Sequence, residues 1–224
     1  MKNFTKLHNK AKKIIPGVSQ LLGKRPDMYL PGNKWPTYYS KAKGVTIWGL
    51  DGKKYLDFTM VGIGTSVLGY SDNDMNKIAI NAIKSGSMTT LNAPEDVRLA
   101  EELLKIHPWA NSVKYARTGG ESMSVAVRLS RAYTGKEKIL FCGYHGWHDW
   151  YLSANLKKKS NLNDHLIKDL NISGVPKKLK NTTYPFEYNN FEQLKKIVKE
   201  KKIGVIKMEV ERDQKPKNGF LKKV

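Results

Sequence analysis

Short apolar runs alternate with segments of helical period along this chain, and that alternation most constrains its fold. "KILFC" at 138–142 and "IGVIKMEV" at 203–210 read as strands. Between them, Phe191, Leu194, Ile197 and Val198 share one face of a helix predicted over 191–200. A shorter run, "VKYA" at 113–116, reads as a strand leading into a glycine pair and another helix. Upstream, Ser71 or Asp72 can cap a helix with Met75, Ile78, Ala79, Ala82 and Ile83 on one face. A second helix follows Pro94, with Val97, Ala100, Leu103, Leu104 and His107 at helical spacing. Strands alternating with helices predict an α/β domain with a mostly parallel sheet and flanking helices.

The first 70 residues differ. Residues 3–15 form a short amphipathic pattern stopped by Pro16-Gly17, and "LLGKRPDMYLPGNKWP" at 21–36 has loop character. "VTIWGLDGKKYLDF" from Val45 predicts a hairpin turning around Asp51-Gly52. The stretch 151–189 has no sustained period, which fits a long functional excursion or a mobile loop.

Lys and Arg number 40 against 20 Asp and Glu, a formal charge of +20. The lysines are scattered rather than interleaved with aromatics, so they read as a solvated surface that favours anionic ligands. Cys142 is the only cysteine, which excludes an internal disulfide. No apolar run has the length a bilayer requires, and the basic N-terminus lacks the apolar core of a secretory signal. A cytoplasmic protein is the expectation.

Two stretches carry chemistry. In "ARTGGESMSVAVRLSRAYTG", Thr118 and Glu121 have capping-box spacing, Gly135 sits where a C-cap belongs, and Met123, Ala126, Val127, Ser130 and Tyr133 form the inner stripe. Glycines at 119 and 120 expose the first N–H groups of that helix, an arrangement suited to an anion and equally to an ordinary turn. In "FCGYHGWHDW", Cys142, His145, His148 and Asp149 invite a metal reading, but their spacing matches no structural zinc pair. Tyr144 stands where a strand ends, the position at which α/β sheets bind ligands, with Gly143 and Gly146 permitting close backbone approach. Aromatic packing of a plain loop is the alternative.

Taken together, "TGGESMSVAVRLSRAYTGKEKILFCGYHGWHDW" resembles the class III family of pyridoxal-phosphate aminotransferases, particularly the branch around glutamate-1-semialdehyde aminomutase and amino-sugar transaminases. "IIPGV", "DGKKYLDF", "PEDVRLAEEL" and "MEVERDQKPKNGFL" have counterparts in the same order. The resemblance implies a fold-type I PLP-dependent transferase, with residues 1–70 contributing to the small domain and 71–224 forming the first part of the large one. It implies that Gly119 and Gly120 offer amides to the phosphate of pyridoxal 5'-phosphate, with the Thr118 hydroxyl beside them. Tyr144 would stack on the pyridine ring with His145 close by, and Glu209 matches the acid of the family's Glu-Pro pair. Gly120 stands where the family usually has threonine, and Val210 where it has proline. The stretch Trp147-His148-Asp149-Trp150 departs from the aminomutase pattern.

The family's Schiff-base lysine and the aspartate that faces the pyridinium nitrogen have no match here, and Lys207 does not correspond to that lysine. The resemblance therefore implies the N-terminal part of an enzyme, cut before its sheet is complete and inactive by itself. At full length it implies a homodimer acting on a small-molecule amino donor and a carbonyl acceptor. Nucleic acid and membrane are not expected partners. The competing reading, a basic nucleic-acid-binding module, explains the charge but leaves Gly119, Gly120 and Tyr144 without a task.

Overall fold

A computed structural model describes residues 3–26, 29–30, 35–59, 62, 64–211 and 213–224. The chain forms two compact units, Met1–Pro94 and Glu95–Val224.

The first unit begins with helix α1 (Asn3–Ile14), which ends where Gly17 takes a positive φ. Strands β1 (Tyr39–Lys43), β2 (Thr46–Gly49) and β3 (Lys54–Leu56) then form an antiparallel meander. The predicted hairpin is β2–β3, its turn closed by the Lys53 N–H donating to Asp51 Oδ1 at 3.1 Å. β1 has too little apolar patterning to announce itself. Residues 27–28 and 31–34 of the expected loop lie outside the described residues, and Leu22–Lys24 within it form a single 3₁₀ turn. Helix α2 (Asn73–Lys84) is capped by Asp72, whose carboxylate accepts from the Asp74 and Met75 amides.

The second unit follows α3 (Pro94–Ile106) with α4 (Gly119–Thr134), β4 (Ile139–Cys142), α5 (Asp149–Leu152), β5 (Thr183–Pro185), α6 (Phe191–Lys201), β6 (Val205–Met208) and α7 (Phe220–Lys223). Its sheet has the order β5-β4-β6, and both pairings are parallel. The central strand reads "ILFC", apolar at every position and buried at every position. Its alternating side chains feed two cores. Ile139 and Phe141 join Val127 of α4 with Trp150, Tyr151, Ala154 and Leu162. Leu140 and Cys142 join Leu194 of α6 with Tyr184, Phe186, Ile203 and Phe220 on the other face. Helices thus cover both faces of a parallel sheet, as the alternation predicts.

The structure corrects four expectations. "VKYA" forms no strand, because no described segment offers those residues a ladder partner. Tyr133 does not belong to the inner stripe of α4; it is 94% exposed, in the last turn of the helix, whereas Val127 at its middle is buried. α2 and α3 bury none of their residues fully: Met75, Ile78, Ile83 and Val97 are exposed, and of the α3 face only Ala100, Leu103 and Leu104 are half-buried. The stretch 151–189 is not a mobile loop: it supplies β5 and the buried Leu162, His165, Thr183, Tyr184 and Phe186.

Phe141 is fully buried between the strand and Tyr151, the ring centroids 4.9 Å apart. Phe141→Ala is therefore expected to lower stability by about 3–5 kcal/mol, and Tyr133→Ala by no more than about 0.5 kcal/mol. Urea unfolding of the two variants checks both values.

Candidate functional site

The helix N-terminus and the loop after β4, the two stretches singled out above, meet in space. α4 starts as its sequence requires. Thr118 has extended backbone angles, and its Oγ1 accepts the Glu121 N–H at 3.2 Å. The Glu121 carboxylate turns back one residue further than a standard capping box and accepts the Arg117 N–H at 2.9 Å. The amides of Gly119 and Gly120 are left without an acceptor among the described residues. A Cβ placed on Gly119 would meet nothing within 4 Å; Gly119 is exposed and Gly120 half-buried. The Thr118 hydroxyl, an acceptor toward Glu121, still has its proton to donate.

The loop after β4 is held by a set of buried hydrogen bonds around one peptide. The Gly143 N–H donates to His165 Nδ1 at 3.1 Å, and the Tyr151 hydroxyl donates to the Gly143 carbonyl at 2.9 Å. Gly143 has φ +95°, and a Cβ there would lie 2.3 Å from Glu209 Oε2, so only glycine fits. That same Oε2 accepts the Tyr144 N–H at 3.2 Å. The Tyr144 ring is steadied edge-on by Trp147 and Tyr151, at centroid distances of 6.2 and 6.4 Å, and remains 37% exposed. Burial raises its hydroxyl above the ordinary tyrosine value, so it is a neutral donor at physiological pH.

His145 lies elsewhere. It is 3% exposed, set among Phe141, Trp150 and Tyr151, with both ring nitrogens engaged. Nε2 is 3.0 Å from the Cys142 carbonyl, which can only accept, so that nitrogen bears the proton. Nδ1 must then accept, and Lys207 Nζ stands 3.2 Å from it. Burial, and next the Lys207 charge, push His145 down to about 4. Burial also lowers Lys207, against the pull of Glu209. Cys142 is pushed up to about 11 by burial and by Glu209, which makes it an inert core thiol. Glu209 thus braces the Tyr144 backbone from β6.

The loop then touches α4. Gly146 has φ +94°, and a Cβ there would come within 2.8 Å of the Gly120 Cα. The loop that carries Tyr144 so meets the helix turn that carries Thr118, Gly119 and Gly120, while Glu209 and His145 hold that loop. Among the described residues no three His, Cys, Asp or Glu side chains converge on a metal position. No described helix is long and apolar enough to cross a membrane. The sequence reading missed Tyr151 and His165: their roles arise from contacts 8 and 22 residues away, which no spacing rule marks.

The family described as Aminotransferase class-III matches residues 29–211. The 3-aminobutyryl-CoA aminotransferase of Cloacimonas acidaminovorans is 30% identical over 97% of this chain and 50% of its own length. The glutamate-1-semialdehyde 2,1-aminomutase of Campylobacter hominis is 32% identical over 78% of this chain and 38% of its own. The crystal structure of a glutamate-1-semialdehyde-aminomutase from Pseudomonas aeruginosa superposes with a TM-score of 0.75 at 16% identity, over 98% of this chain and 48% of that one. The chain spans half or less of the length of these relatives.

The buried, neutral His145 has a consequence for stability. Unfolded, it takes up a proton as pH falls below its ordinary 6.5; folded, it stays neutral down to about 4. Stability contributed by neutral His145 is complete above that upper value and is lost as pH falls through the window. Its slope is at most about 1.4 kcal/mol per pH unit. His145→Gln is expected to flatten the pH dependence of urea unfolding between those limits; equal slopes in both proteins would contradict the buried neutral ring.

Proposed function

Because the chain belongs to the class III aminotransferase family, we propose that it builds the cofactor cradle of an enzyme that moves amino groups with pyridoxal 5'-phosphate. One observation carries this reading: the loop that presents the half-exposed Tyr144 ring touches the first turn of α4, Gly146 against Gly120, where the Gly119 and Gly120 amides have no acceptor among the described residues.

The residues fit the group. The N-terminus of a sixteen-residue helix carries partial positive charge, and a phosphate there meets two amide donors and the Thr118 hydroxyl. Tyr144 offers an aromatic face to the pyridine ring, and the loop that carries it is fixed at Gly143. Glu209 sets the Tyr144 backbone through its N–H. His145 holds the loop from beneath rather than touching the cofactor, since both its nitrogens are committed to Cys142 and Lys207. When bound, pyridoxal phosphate supplies the electron sink on which amino-group transfer depends. This chain's part is to anchor the phosphate, orient the ring and keep a neutral Tyr144 against it.

The amino donor is a small molecule and the acceptor a carbonyl compound; the protein works as a cytoplasmic homodimer. Residues 1–70 belong to the small domain and 71–224 to the large one.

Titration with pyridoxal 5'-phosphate, followed by tryptophan fluorescence, tests the cradle on the protein as its gene encodes it. Tyr144→Ala is expected to weaken uptake by about tenfold, the order of a lost stacking contact. Tyr133→Ala should leave it unchanged. No uptake by the unaltered protein would overturn the reading.

A further inference from the structure

Gly120 stands where a threonine would bring a hydroxyl to the anion site, and the structure shows what fills that space. A Cβ built on Gly120 would lie 3.1 Å from both Cδ2 and Nε2 of His148. The edge of an imidazole thus lies where the missing side chain would project. We propose that His148 is a ligand of the cofactor phosphate, replacing across the loop the donor that position 120 lacks; this rests on the pyridoxal phosphate reading above.

Three features hold His148 to that task. Its Nδ1 is 2.7 Å from Ser124 Oγ, one turn further along α4. Ser124 Oγ also lies 3.0 Å from the Gly120 carbonyl, to which it donates. Ser124 has one proton; while it goes to Gly120, His148 Nδ1–H donates to Ser124. Nε2 is the ring nitrogen left beside the first turn, where an Nε2–H is a free donor. A neutral ring presents the same Nε2–H when Ser124 rotates its proton toward Nδ1.

The second feature is what His148 does not do. It occupies the N-cap of α5, where a side chain ordinarily serves its own helix, yet it makes no capping hydrogen bond. Its backbone carbonyl is fixed by the Tyr151 and Leu152 amides, while its ring reaches across to α4. The third is the pressing of Gly146 on the Gly120 Cα, which sets the distance between the loop and the helix. Positions 120, 146 and 148 therefore share one volume: two residues without side chains make room for the third.

A ring N–H that donates to phosphate is read directly in phosphate recognition. The experiment compares dissociation constants for pyridoxal 5'-phosphate and for pyridoxal, which has no phosphate, in the protein as encoded by its gene. His148→Ala is expected to weaken the phosphate ester by about tenfold or more while leaving pyridoxal unchanged. His148→Phe, which refills the space without a donor, should lose the same factor. Gly120→Thr added to His148→Ala should recover most of it, whereas Gly120→Thr alone should not improve binding, because threonine collides with the ring.

An unaltered protein that takes up pyridoxal phosphate, paired with His148→Phe that binds it equally well, would show His148 to be packing only and overturn the assignment. Failure of the unaltered protein to bind the cofactor would overturn the cradle reading, and His148's role with it.

Discussion

A strand that ends inside a covered parallel sheet must turn without leaving its polar groups bare, and the peptide of Gly143 is where this chain meets that demand. Its N–H goes to His165 and its carbonyl to the Tyr151 hydroxyl, both buried. Glu209 occupies the volume that any side chain at 143 would need, and receives the Tyr144 N–H. Unpaired buried groups of this kind cost about 1–3 kcal/mol each. The three partners come from α5, from the segment before β5 and from the end of β6. Strand exit, loop shape and Tyr144 orientation are therefore one arrangement, and it forms only once the unit has folded around β4.

The parts legible in the sequence were those governed by local rules. Thr118 and Gly135 bound α4 as their residue types predict. Asp72 caps α2, and the hairpin turns around Asp51-Gly52. The run "ILFC" sits at the centre of the sheet because it has no polar side to turn outward. The sequence singles out the start of α4 and the loop after β4, and the fold sets Gly146 of that loop against Gly120.

What stayed hidden depends on partners distant in sequence. "VKYA" has a strand's composition, but composition makes no ladder without a neighbour. β5 is three residues long and shows no periodicity by itself; pairing with β4 defines it. His145 belongs by motif beside the cofactor, yet its nitrogens are taken by a backbone carbonyl and by Lys207, a lysine that no local pattern places under a histidine. His148 and Gly120 are 28 positions apart, and only the fold reveals that the imidazole lies in the glycine's empty volume.

The apolar side chains that α2 and α3 leave exposed have a colloidal consequence. Met75, Ile78, Ile83, Val97, Leu99 and Ile106 all meet water, on a molecule whose formal charge is +20. At low ionic strength, mutual repulsion between copies acts over tens of ångströms and keeps these faces apart. The range shrinks to about 3 Å in molar salt, where hydrophobic contact is no longer held off. Salting out, rather than dilution into low-salt buffer, is thus the condition under which this polypeptide would begin to cluster.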